Sequence, residues 1–117
     1  MSKCTKEEVE IFLNDFHAKL TVFNVFFISR KKNAEALSKL EIDSLQRLEY
    51  IKSIKPENYF NGPNDDAYDP QSPPNWEFGM NIKRHEVYIK INLGKTNKSV
   101  MCISFHIAEK EINYPFH

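Results

Sequence analysis

The chain has 117 residues, 41% hydrophobic and 27% charged, the balance of one globular domain able to bury a core without disulfides or metals. Sixteen Lys and Arg against sixteen Asp and Glu give a formal net charge of zero, which excludes a uniformly basic protein and leaves nucleic-acid contact to locally clustered cations. Cys4 and Cys102 are too few for a disulfide framework, the apolar cluster Val22–Ile28 is too short to cross a bilayer, and no basic-apolar-small leader opens the chain, so free thiols in a cytoplasmic protein are expected.

From the N-terminus, Thr5 followed three residues later by Glu8 is a capping-box signature, each side chain serving an otherwise orphaned amide. Behind it Val9, Phe12, Leu13, Phe16 and Leu20 recur at helical spacing and predict a helix from Lys6 to Leu20. Val22–Ser29 reads as a strand whose near-continuous apolarity implies burial on both faces or an edge covered by a helix. Arg30–Lys32 is a basic turn. Asn33 is placed to cap a helix over Ala34–Leu40, and Asp43 or Ser44 to cap another over Leu45–Ile54, ended by Pro56. Pro56–Asn61 reads as a turn carrying Tyr59 and Phe60. Gly62–Asn75, with Pro63, Pro70, Pro73, Pro74 and three aspartates, has no apolar period and is expected to be a mobile loop beside the active face.

Three strands follow, Trp76–Ile82, Glu86–Leu93 and Ser99–Ile107, joined by turns at Lys83–His85 and Gly94–Lys98. Strand side chains alternate, so Trp76, Phe78, Met80, Ile82, Val87, Ile89, Ile91, Leu93, Met101, Ile103, Phe105 and Ile107 share one face. The other face receives Glu77, Tyr88, Lys90 and His106, with Val100, Cys102 and Ser104. A second hairpin centred on Thr96 sets Glu86 opposite His106, Tyr88 opposite Ser104 and Lys90 opposite Cys102. The tail, Glu109–His117, is expected to dock back through Tyr114, Pro115 and Phe116. The whole chain, 1–117, is thus predicted to be one α+β domain. Its N-terminal helices pack on one face of an antiparallel sheet that ends in a C-terminal three-stranded meander.

An acid, a phenol, an ammonium and an imidazole on one sheet face are the parts of a small acid–base enzyme. Imidazole is the usual general acid or base, so His106 is the leading catalytic candidate, with Glu86 placed to orient its ring. Lys90 suits a phosphate or a developing negative charge. Lys83, Arg84 and His85 form a basic hairpin tip, and Arg30, Lys31 and Lys32 a second basic knot; either fits a phosphodiester backbone. The bland alternative for each is a solvated surface side chain. His17 and His117 lack companions at metal-ligand spacing, so no metal is expected. No Gly-rich phosphate loop, GxSxG or HExxH pattern occurs, and no cofactor is implied.

The segment Glu86-Val87-Tyr88-Ile89-Lys90-Ile91, followed after a turn by Val100-Met101-Cys102-Ile103-Ser104-Phe105-His106, resembles the strand pair of the MqsR family of bacterial toxins. There a V-Y-[LI]-K-I strand precedes one ending in S-F and a basic residue. Trp76-Glu77 and Glu57-Asn58-Tyr59-Phe60 are similar to the family's segment before the meander, and the likeness covers about Pro56–His106. It implies a RelE-like fold and a metal-independent endoribonuclease that cleaves single-stranded mRNA by 2′-OH attack and is silenced by a cognate protein antitoxin. The family's tyrosine falls on Tyr88. Its glutamine after the tryptophan falls on Glu77, its lysine after S-F on His106, and a further lysine on Phe60. On this reading the catalytic residues are His106, Glu77, Tyr88 and Lys90, and the RNA-binding residues Lys83, Arg84 and Tyr59, with bases stacking near the loop. The alternative from the residues is a non-enzymatic protein-binding module, an inhibitor or adaptor, using the same sheet face with Tyr88 and Trp76 as anchors.

Overall fold

A computed structural model describes residues 4–117; Met1–Lys3, where the leader reading begins, lie outside the described residues. Helix α1 spans Lys6–Phe23, strand β1 Val25–Phe27, α2 Lys31–Leu40 and α3 Ser44–Lys52. A 3₁₀ turn, Pro56–Asn58, leads into β2, Tyr59–Asn64, followed by β3, Asn75–Ile82, β4, His85–Asn92, and β5, Val100–Ile107. The fold is α+β. The sheet runs β1-β5-β4-β3-β2, with β3, β4 and β5 as an antiparallel meander and β1 parallel to β5, so it is mixed rather than wholly antiparallel. Among the described residues no helix is long and apolar enough to cross a membrane.

The capping box of Thr5 and Glu8 forms as expected, and Val9, Phe12, Leu13, Phe16 and Leu20 are all buried. Phe12 stacks on Trp76 at 4.3 Å between ring centroids, seating α1 on the apolar sheet face. The helix runs three residues further than its apolar period, because the Asn24 amide still bonds back to Leu20 and only Asn24, at φ 64°, turns the chain. The strand expected over Val22–Ser29 therefore shrinks to Val25–Phe27, and Val22 and Phe26 stand exposed rather than covered on both sides.

Asn33 is not a helix cap; Arg30 occupies that position. The Asn33 side chain is buried and acts as a piece of strand. Its Nδ2 donates to the carbonyls of Ile28 and Ile103, and its Oδ1 accepts from the Phe105 amide. β1 pairs only with Val100–Cys102, so this amide satisfies the β5 backbone that β1 leaves open. Asp43, one of the two caps the sequence offered, caps α3, and Gln46 completes a reciprocal pair with it.

Two further expectations give way. Pro56–Asn61 is not a plain turn, since Tyr59 begins β2, and the connection to β3 is confined to residues 65–74. In β5 a bulge sets Lys90 opposite Ser104 but Ile91 opposite Cys102, leaving Ile103 as the extra residue. One inserted residue reverses the alternation. Val100 and Cys102 thereby enter the core, while Met101 and Ile103 turn to the outer face, the reverse of their expected phases. Burial pushes the Cys102 thiol up to about 12.

The tail docks as expected. Phe116 stacks on the buried Tyr59 at 5.5 Å, and Glu86 takes hydrogen bonds from the Ile112 amide and the Tyr114 hydroxyl. Gly79 makes room for this crossing, since a Cβ there would lie 2.6 Å from both Ile112 Cδ1 and Tyr114 Oη.

Candidate active site on the outer sheet face

Away from the helices, the three meander strands bring Glu77 from β3, Tyr88 and Lys90 from β4, and Ser104 and His106 from β5 onto one surface. The ladders set Glu77 opposite Lys90, Tyr88 opposite His106 and Lys90 opposite Ser104. All four predicted catalytic side chains border a cleft of about 440 Å³, open to solvent, with the tail segment Ala108–Ile112 as one wall.

The hairpin register differs from expectation by two residues. His106 faces Tyr88 instead of Glu86, at 5.2 Å between ring centroids, and Lys90 faces Ser104 instead of Cys102. The turn is centred between Thr96 and Asn97 rather than on Thr96, which shifts the pairing by one residue, and the bulge in β5 shifts it by one more. Glu86 is consequently not the partner of His106; its carboxylate holds the tail.

Glu77 is the most heavily bonded group in the cleft. Oε1 accepts from the Tyr88 hydroxyl at 2.5 Å, and Oε2 accepts from Asn61 Nδ2 at 2.6 Å and Asn64 Nδ2 at 3.1 Å. Both asparagines reach it because β2 is irregular: its register slips between Tyr59 and Asn61 and again between Asn61 and Asn64. Gly62, at φ 109°, makes the second slip possible, since a Cβ would meet the Asn75 carbonyl oxygen at 2.8 Å. The Tyr88 phenol is pushed well above its ordinary value, first by burial, then by the hydrogen bond to Glu77 and its charge. It remains protonated and locked as a donor at neutral pH.

The His106 Nδ1 lies 3.0 Å from the Ile107 carbonyl oxygen. That oxygen can only accept, so Nδ1 carries a proton and Nε2 is the atom left for exchange. Cations approach from two elements. Lys90 stands between Glu77 and Ser104 and makes no ion pair among the described residues, while Arg30, from the start of α2, donates from Nη1 to the buried Ser104 hydroxyl at 3.3 Å. The sequence marked Arg30 only as part of a basic knot fit for a phosphodiester backbone, without placing it beside His106 and Lys90.

The predicted RNA-binding residues do not join this group. Lys83 and Arg84 form the two-residue β3–β4 turn, both at positive φ, and the Lys83 ammonium donates to the Glu41 carbonyl at the end of α2. Lys83 lies six positions along the chain from Glu77, roughly 20 Å of extended strand. Tyr59 is fully buried, its hydroxyl donating to the Gly62 carbonyl, and so offers no face for stacking. Phe60 takes that position instead, 5.9 Å from the Tyr88 ring. Asn61 and Asn64 escaped sequence reasoning because irregular pairing carries no periodic signal, and Phe60 was marked only as the position of a family lysine. Among the described residues no cluster of three His, Cys, Asp or Glu side chains is placed to hold a metal ion.

Comparisons with family models, with curated proteins and with solved structures gave no match to this chain.

Proposed function

We propose that the chain is a metal-independent endoribonuclease acting on single-stranded mRNA, the toxin of a toxin–antitoxin pair, as the resemblance to the MqsR family and its RelE-like fold implies. The observation that carries the reading is the order of groups across the meander: Glu77 on one side, Tyr88 and Lys90 between, His106 on the other. In-line displacement at phosphorus needs a base beside the entering oxygen and an acid beside the leaving one, on opposite sides of the phosphate. Glu77 and His106 flank the middle strand in that way.

One of this pair takes the proton from a ribose 2′-hydroxyl while its oxygen attacks the adjacent phosphorus. The other gives a proton to the 5′-oxygen as the P–O5′ bond breaks, leaving a 2′,3′-cyclic phosphate and a 5′-hydroxyl. Lys90 and Arg30 meet the charge on the phosphoryl oxygens. Tyr88, held by Glu77, positions the phosphate. The protein works in the cytoplasm, where mRNA and a protein antitoxin are its partners.

His106→Ala should lower the rate of RNA cleavage by about 100-fold or more, the range of general acid–base contributions. Product analysis should find the cyclic phosphate. Full activity in that variant removes His106 from the chemistry. Expression should arrest growth and an adjacent gene relieve it; arrest that survives loss of both Glu77 and His106 points instead to a binding protein.

A further inference from the structure

A second outer-face groove lies beside the candidate site. It is about 750 Å³, floored by Met101 and Ile103, with Asp66 and Asp69 of the loop 65–74 lining it on one side and Lys95 and Lys98 of the β4–β5 turn on the other. The β5 bulge creates the floor, since it turns Ile103 outward beside Ser104, which borders the catalytic cleft. Groove and cleft are therefore successive stretches of one surface, from Ser104 to Ser99 along roughly 17 Å of strand.

Both walls are held from within. Asp66 Oδ1 accepts from the amides of Tyr68 and Asp69, and Asp69 Oδ1 from the amide of Gln71. The Oδ2 atoms make no hydrogen bond among the described residues. The opposite turn is pinned by Lys19, whose ammonium donates to the carbonyls of Leu93 and Lys95. Lys95 and Lys98 make no ion pair among the described residues.

We infer that this groove is a nucleotide subsite, taking a residue next to the cut phosphate whose base carries an exocyclic amino group. The inference rests on the ribonuclease reading and adds to it the origin of sequence preference. A nucleotide is an anion at one end and a flat apolar ring with a hydrogen-bonding edge at the other. Cations on one wall match the phosphate, a thioether and an aliphatic floor match the ring, and acceptor-only carboxylates match an amino edge. A uracil edge has no amino group and offers a single ring N–H flanked by two carbonyl oxygens, which acceptor-only carboxylates repel.

The test uses the full chain, a single-stranded RNA containing the preferred cut site, and the same oligonucleotide with 2′-deoxyribose at that site to read binding without cleavage. Lys95→Ala/Lys98→Ala should raise KM with kcat kept, and reduce the slope of log K against log salt by about 1.4, roughly 0.7 for each phosphate contact on a single strand. Asp66→Asn/Asp69→Asn keeps the loop's Oδ1 acceptors. It should erase a preference for cytidine, adenosine or guanosine over uridine next to the cut, which should be about fivefold or more in the wild type. Wild-type cleavage with neither variant altering KM, salt slope or base preference overturns the subsite alone. No cleavage by the wild type, with the deoxy-substituted strand still bound through Lys95 and Lys98, overturns the ribonuclease reading while retaining a nucleic-acid groove; neither cleavage nor binding overturns both.

Discussion

Tyr88 donates its hydroxyl proton to Glu77 Oε1 although the two are diagonal rather than opposite neighbours, Tyr88 facing Gly79 and Glu77 facing Lys90. The absent side chain at Gly79 leaves the outer face free for the tail, and the phenol leans along β4 toward the carboxylate. One bond thus fixes both the carboxylate and the ring that stands against His106.

Tyr88→Phe keeps the ring contacts with Phe60 and His106 but deprives Glu77 of its shortest donor. The expected loss is about 1–2 kcal/mol of folding stability, read from the urea midpoint at constant slope. An unchanged midpoint means that water replaces the phenol at no cost.

The same bond sets an alkaline dependence. The native phenol keeps its proton at pH values where the unfolded one, near 10.0, releases it. Its contribution is therefore complete below about pH 10 and falls as pH rises from there toward the higher native value. The stability difference between the wild type and Tyr88→Phe should shrink in urea titrations above pH 10. A constant or growing difference contradicts the assignment.

Asn33→Ala tests the side chain that stands in for a strand. It leaves the Phe105 amide and the carbonyls of Ile28 and Ile103 without their partner, at an expected cost of about 2–3 kcal/mol. Urea unfolding decides it, and a change within about 0.5 kcal/mol, the range of ordinary surface substitutions, refutes the role.

Cys102 should resist alkylation in the folded protein and react at the unfolding-limited rate, because its thiol is enclosed and its ionisation is pushed up to about 12. Modification followed by mass spectrometry, with and without urea, checks this. Rapid labelling under native conditions would place the residue back on the outer face.

The α+β class, the capping box of Thr5, a cap at Asp43 or Ser44, the core phase of β3 and β4 and the docking of the tail were legible because each rests on a local period or cap. So was the gathering of Glu77, Tyr88, Lys90 and His106, since β3 and β4 alternate cleanly and β5 does so from Ser104 onward. Legibility stopped at irregular backbone. The shifted β4–β5 turn and the bulge at Ile103 together moved Cys102 inward and set His106 against Tyr88, and the slips in β2 aimed two asparagines at Glu77. Asn33 was misread for a related reason: its partners on β5 lie 70 and 72 residues away, beyond any local pattern.

The most direct measurement is cleavage of a single-stranded RNA in EDTA by the purified chain, set beside the same strand with one 2′-deoxyribose at the position of the cut. If Glu77 and His106 exchange protons around a 2′-oxygen attack, the all-ribose strand is cut and the substituted position is spared. Cutting that persists at the substituted position, or an all-ribose strand left intact, contradicts the account.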